Sequence, residues 1–263
     1  MDLGIKDKIA LVTASSKGLG KAVALRLSQE GARVMICSRN KDNLLKTKDE
    51  ITVKTGGIVK AFITDVTDKE QVNKMIDGIV DEFGTIDILV SNAGGPPAGK
   101  ADDFSLDDYQ NAIELNLLST INLCYKVLPY MKKHGWGRII NMTSVSAKQP
   151  IDVLILSNTS RAGVLGFSKS LSSQIASLGI TVNSVCPGYT KTERVENLAK
   201  AFEESGKGTQ QDFYKNLEKT IPMRRVGTPE EFAQTVAFLA SQGAAYITGV
   251  ALQIDGGYIQ GLF

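Results

Sequence analysis

The 263-residue chain sets 30 Lys and Arg against 28 Asp and Glu, a formal charge of +2 with 22% of residues charged. This balance offers no basic stripe for nucleic acid and no acidic tail, and the length suits one large α/β domain, expected to span 1–263. Cys37, Cys124 and Cys186 are far apart in apolar stretches and His134 is the only histidine. These residues read as buried thiols in a reducing compartment, with no disulfide framework, metal site or Ser-His-Asp triad.

The segment 1–8 is charged and lacks an apolar core, so it does not read as a signal peptide. No apolar run approaches the roughly 20 residues of a membrane helix, and a cytoplasmic protein is expected. Along the rest of the chain, apolar runs bounded by turn residues alternate with helix-period segments, the pattern of a parallel sheet. Seven strands are predicted at 8–13, 33–38, 59–65, 86–91, 137–142, 181–185 and 251–254. Their near-continuous hydrophobicity calls for helices on both faces of the sheet. Ser105 with Asp108 forms a capping box, and Thr228-Pro229-Glu230-Glu231 combines an N-cap, a first-turn proline and an N3 glutamate. A long helix is expected over 106–133, its last turns loosened by Pro129. Only 190–225, polar and containing Gly206 and Gly208, stands outside the alternation; it reads as a mobile insertion with short helices over the ligand crevice, or as a tolerated surface insertion.

Between the first strand and the first helix stands T-A-S-S-K-G-L-G, residues 13–20. A strand entering a glycine-bearing turn and leaving as a helix gathers free N–H groups and the positive end of a helix dipole, where a pyrophosphate docks. Alone, the string also suits an ordinary glycine turn, since Ala14 stands where a first glycine is common. The other strand ends add weight. Ligands of an open parallel sheet bind beyond the carboxyl ends of its strands, and there lie Ser38-Arg39, Asp65-Val66, Asn92-Ala93-Gly94, Thr143-Ser144 and Pro187-Gly188.

The glycine turn, S-N-A-G at 91–94, Asn116, N-M-T-S at 141–144, C-P-G-Y-T-K-T at 186–192 and D-G-G at 255–257 together resemble the short-chain dehydrogenase/reductase family across essentially the whole chain. In general character the chain is similar to its 3-oxoacyl-acyl-carrier-protein reductases. The resemblance implies a doubly wound Rossmann-type sheet of seven parallel strands, a nicotinamide dinucleotide, a homotetramer or dimer, and a small carbonyl or alcohol substrate, with acyl thioesters among the candidates. It assigns cofactor contacts to Thr13, Ser15, Ser16, Lys17, Gly18, Leu19, Gly20, Ser38, Arg39, Asp65, Val66, Asn92, Ala93, Gly94, Arg161, Pro187, Gly188, Thr190 and Thr192. A carboxylate at the end of the second strand holds a free 2′-hydroxyl, whereas a 2′-phosphate needs a cation. Arg39 there, with Lys17 in the glycine turn, favours NADP(H) over NAD(H).

Family members use a serine, a tyrosine, a lysine four residues after it and an asparagine. Ser144 and Asn116 match. The tyrosine falls thirteen residues after Ser144, at Ser157, and the lysine at Arg161, so S-N-T-S-R stands for Y-x-x-x-K. A phenol with a pKa of about 10 can be brought towards neutrality by a nearby cation; an aliphatic hydroxyl is a far weaker acid. Arg161 keeps the charge and the ribose hydrogen bonds but not the proton exchange of a lysine. Lys148, in the loop after the fifth strand, is a substitute proton donor or a solvated lysine; Tyr189 is a second candidate whose blander role is packing. Two functions follow: an NADP(H)-dependent oxidoreductase with an atypical acid/base set of Ser144, Asn116, Ser157, Arg161 and Lys148, or a catalytically silent dinucleotide-binding protein serving as redox sensor or oligomeric partner. Apolar residues on several faces of the long helices, and Leu262 and Phe263 in the tail, suit burial between subunits or in the chain's own core.

Overall fold

Successive residues of a strand face opposite sides of its sheet, and here each side feeds its own core. Ala10, Val12, Val34, Ile36, Ile88, Val90 and Ile140 enter one, while Ile9, Leu11, Met35, Cys37, Leu89, Ile139 and Val182 enter the other. The computed structural model describes residues 2–262; Met1 and Phe263, at the ends of two segments read above, lie outside the described residues. The strands are β1 (Ile9–Val12), β2 (Arg33–Ser38), β3 (Val59–Ile63), β4 (Ile88–Ser91), β5 (Gly137–Met142), β6 (Ile180–Pro187) and β7 (Ala251–Ile254). They form one sheet in the order β3-β2-β1-β4-β5-β6-β7, with every neighbour parallel.

Helices α1 (Gly18–Gln29), α2 (Lys41–Thr55) and, near the end of the chain, Pro229–Leu239 cover the first face. The second is covered by α3 (Lys69–Phe83) and by two helices beyond α4 (Leu106–Ile113), namely α5 (Ser119–His134) and α6 (Ile155–Ile175). The expected doubly wound sheet of seven parallel strands is therefore present. The segment 190–225 contains the expected short helices, α7 (Glu193–Glu204) and α8 (Gln210–Thr220), and Pro229–Leu239 is α9. Capping boxes start α4 at Ser105 and α9 at Thr228, as predicted. Among the described residues no helix is long and apolar enough to cross a membrane.

Several boundaries differ from the sequence reading. β1 stops before Thr13, whose hydroxyl turns to bond Asn92, and β3 stops before Asp65, whose carboxylate accepts from Thr67. β6 runs on to Pro187 because its end pairs with β7, Pro187 opposite Ile254. The long helix runs one residue past the expected end, to His134, with Pro129 inside it. The proline is on the exposed face, where a carbonyl deprived of its helical donor can turn to water. The departure from α geometry comes earlier, in a π turn at Glu114–Leu118 that carries Asn116. Single π turns widen a helix locally and are frequent where a side chain is aimed at a site.

Candidate active site

The glycine turn keeps an open helix end. Ala14 and Gly18 have φ of 44° and 60°, left-handed values that cost a glycine little and an alanine more. Gly20 is required for another reason: a Cβ there would stand 2.7 Å from the Ala14 carbonyl oxygen and 2.9 Å from Asn92 Nδ2. Thr13 Oγ1 donates to the Asn92 carbonyl at 2.6 Å and accepts from the Asn92 N–H at 2.8 Å, while Asn92 Nδ2 donates to Ala14 O at 3.1 Å. The buried Ser15 hydroxyl donates to Val12 O, and Ser16 O accepts from Thr47. Side chains of Asn40, Asp68, Ser105, Thr209 and Thr228 cap α2, α3, α4, α8 and α9. No side chain caps α1 at Lys17 or α7 at Thr192. These two open ends face each other: Lys17 Nζ is 2.6 Å from Glu193 Oε2, and the space beside Gly18 is bounded by the Thr192 methyl. Orphan N–H groups at a helix start are donors for an anion, so the turn fits a pyrophosphate.

At the end of β2, Arg39 is exposed, with Nη1 3.7 Å from Asp65 Oδ2; the Ser38 hydroxyl donates to Asn40 O. Both proposed phosphate cations thus carry a carboxylate partner in the structure. Val66 is buried in the second core, with Ala93 packed against it, and Leu19 packs against the first. Gly188 donates to Ile254 O, and a Cβ there would overlap Asp255. Thr190 is buried and bridges to Gly227. The Thr192 hydroxyl donates to Thr190 O at 3.3 Å.

Farther along the rim, two side chains converge on one carbonyl. Asn116 Nδ2 donates to Gly94 O at 2.9 Å, and Arg161 Nη2 reaches the same oxygen at 3.4 Å. Arg161 Nη1 donates to Met142 O at 3.2 Å and Thr143 O at 2.9 Å, so α6 is tied to the ends of both β4 and β5. Burial first, then the like charge of Arg194, pulls the Arg161 guanidinium down to about 10; it remains cationic at neutral pH. Ser157, one helical turn earlier, is buried with its hydroxyl 3.1 Å from that of Ser146, and the Ser144 hydroxyl accepts from the Ser146 N–H at 3.1 Å. Lys148 Nζ is anchored to Ala251 O on β7 at 3.2 Å. The Tyr189 ring stands edge-on to Tyr258 over Val195, Leu217, Ile221 and Val226. Burial and the neighbouring Tyr258 push its phenol up to about 12, which suits packing better than proton transfer at neutral pH.

Two side chains here escaped the sequence reading. Glu193 holds Lys17, and Arg194 folds back so far that a Cβ on Gly95 would lie 2.5 Å from its Nη1. The cluster T-K-T-E-R shows charges but no sign of what they cross to meet.

A family model described as enoyl-(acyl carrier protein) reductase matches residues 13–259. The chain is 33% identical to the 3-oxoacyl-(acyl-carrier-protein) reductase FabG of Thermotoga maritima, over 97% of this chain and 99% of the relative. It is 37% identical to the enzyme of that name from Buchnera aphidicola, over 96% and 98%. The crystal structure of L-sorbose reductase from Gluconobacter frateurii, complexed with NADPH and L-sorbose, superposes with a TM-score of 0.96 at 31% identity, covering all of both chains. The chain belongs to the short-chain dehydrogenase/reductase family of oxidoreductases.

Proposed function

We propose that the protein is an NADP(H)-dependent oxidoreductase interconverting a carbonyl and an alcohol, with 3-oxoacyl thioesters among the candidate substrates. The observation that carries this reading is the placement, on one rim, of the uncapped α1 N-terminus and the Asn116–Gly94–Arg161 cluster. NADPH in the complex of the sorbose reductase, together with Lys17 and Arg39 here, supports the choice of cofactor. The α1 N–H groups would hold its pyrophosphate, Lys17 and Arg39 its 2′-phosphate, and Arg161 its nicotinamide ribose. When bound, the reduced nicotinamide supplies a hydride to the carbonyl carbon.

In this reading Ser157 and Arg161 stand for the family's tyrosine and lysine. The remaining hydroxyls of Ser144, Ser146 and Ser157 orient the carbonyl oxygen. The proton comes through Lys148, whose one hydrogen bond among the described residues, to Ala251 O, uses one of its three N–H donors. The sequence 1–263 is proposed as one domain, with 190–225 closing over substrate. Leu106, Leu118 and Tyr125, exposed along the α4–α5 run, support a homo-oligomer.

The experiment is NADPH oxidation with a panel of ketones and 3-oxoacyl thioesters, beside titration of NADPH and NADH. Turnover with tighter NADPH binding, and a loss of turnover in Lys148→Ala, is expected. Equal affinities overturn the cofactor assignment, and an unaffected Lys148→Ala overturns the donor. Tight NADPH binding without any turnover would identify the silent binding protein.

A further inference from the structure

Arg194 stands in the first turn of α7, and its guanidinium lies against Gly95, across the crevice from its own helix. Among the described residues no carboxylate lies within ion-pair distance of it, whereas nearby Lys17 and Arg39 each have one. Arg161, buried behind the same loop, is likewise held only by carbonyls. Its three bonds use three of five N–H donors. Arg194 is exposed to water but close enough to the buried Arg161 to depress its pKa, so the two guanidinium groups, without a carboxylate partner, make a locally positive spot at which an anion is favoured.

The position of this positive spot distinguishes its occupant. Asn92 faces the glycine turn through Thr13 and Ala14, where the pyrophosphate is proposed. Gly94 faces the other way, receiving Asn116 and Arg161, and Gly95 lies one residue beyond. Arg194 therefore lies on the Asn116–Arg161 side of this loop, away from the glycine turn and within electrostatic reach of Arg161. A planar guanidinium on an exposed side chain can match a carboxylate through two parallel hydrogen bonds.

We infer that Arg194 selects substrates carrying a carboxylate, binding that group directly while buried Arg161 adds positive potential behind it. The protein then acts on oxo acids or hydroxy acids in preference to neutral carbonyl compounds or their esters. This rests on the oxidoreductase reading above.

The test compares acetoacetate, levulinate and 2-oxo-4-phenylbutyrate with their methyl esters, by turnover and by calorimetric binding to the protein with and without NADPH. The wild type is expected to favour at least one acid over its ester by tenfold or more. Arg194→Gln should collapse that ratio, with the loss in KM for the acid or in its binding, and Arg194→Lys should keep part of it. Acid and ester treated alike by the wild type, or an unchanged ratio in Arg194→Gln, overturns the inference. Binding to the loaded protein reads the inference even where turnover is absent. A failure of NADPH to bind overturns the oxidoreductase reading separately, and the free protein still reports whether Arg194 discriminates acid from ester.

Discussion

Lys17 Nζ lies 2.6 Å from Glu193 Oε2, an ion pair that fastens the glycine turn to the first turn of α7 across the proposed cofactor crevice. Both side chains are more than half exposed, at 64% and 56%, so the pair contributes at most about 1 kcal/mol to stability. Its interest is competitive, because a 2′-phosphate reaching Lys17 must displace the carboxylate and then sit beside its charge.

Removing that charge should therefore help one cofactor more than the other. Glu193→Gln is expected to tighten NADPH binding about threefold to tenfold at low salt, on the order of 1 kcal/mol, and to change NADH binding less. Fluorescence titration of both cofactors checks this. An equal change in both, or weaker NADPH binding, removes Lys17 as the phosphate ligand.

Gly20 is held by space. A Cβ would stand 2.7 Å from a backbone oxygen and 3.0 Å from the Ser15 Cα, neither of which can swing aside as a flexible side chain could. Gly20→Ala must displace the turn against α1, an overpacking cost of about 1–3 kcal/mol. A lower urea midpoint together with NADPH affinity reduced at least tenfold is the expected result. Wild-type binding by the folded variant would show that the turn does not carry the pyrophosphate.

Arg161 joins α6 to three carbonyls at the ends of β4 and β5. Arg161→Ala removes the guanidinium donor from the Met142 and Thr143 carbonyls, leaves Gly94 O to Asn116 alone and opens a void, and a loss of about 2–4 kcal/mol is expected. Arg161→Lys can reach some of them and should recover part of it. Urea unfolding of the three proteins measures the series; a lysine variant no better than alanine would show that the fork geometry, not the charge, carries the contact.

The fold was legible because its signals are local. Continuous apolar runs such as 9–12 and 34–37 announce strands covered on both faces, and the Ser105 and Thr228 boxes announce helix starts. The candidate site residues were named from strand ends and, for Asn116, Ser157 and Arg161, from the family resemblance, but their contacts were not legible. Nothing in 106–133 signals a π turn at Asn116, because that geometry depends on what its side chain meets at Gly94. For the same reason Lys148 looked free until the packed sheet placed Ala251 O beside it. The approach of Arg194 to Gly95 is longer in range still and leaves no periodic trace.

A pH experiment tests the second basic–acidic fastening of the segment 190–225. Arg225 Nη2 lies 2.5 Å from Glu231 Oε1. The Arg225 hydrogen bond first, then the Thr228 backbone N–H, holds the Glu231 carboxyl down to about 2, from an ordinary 4.5. A carboxyl whose folded pKa lies below its unfolded one contributes stability above the unfolded value and loses it as pH falls through the folded one. Glu231→Gln should therefore lower the urea midpoint at pH 7, and the difference from wild type should shrink as pH falls from 4.5 towards 2. The pair is half-exposed, so the effect should also weaken in salt. A difference that stays constant across that acid window would show that Glu231 acts by shape at the α9 start and not by charge.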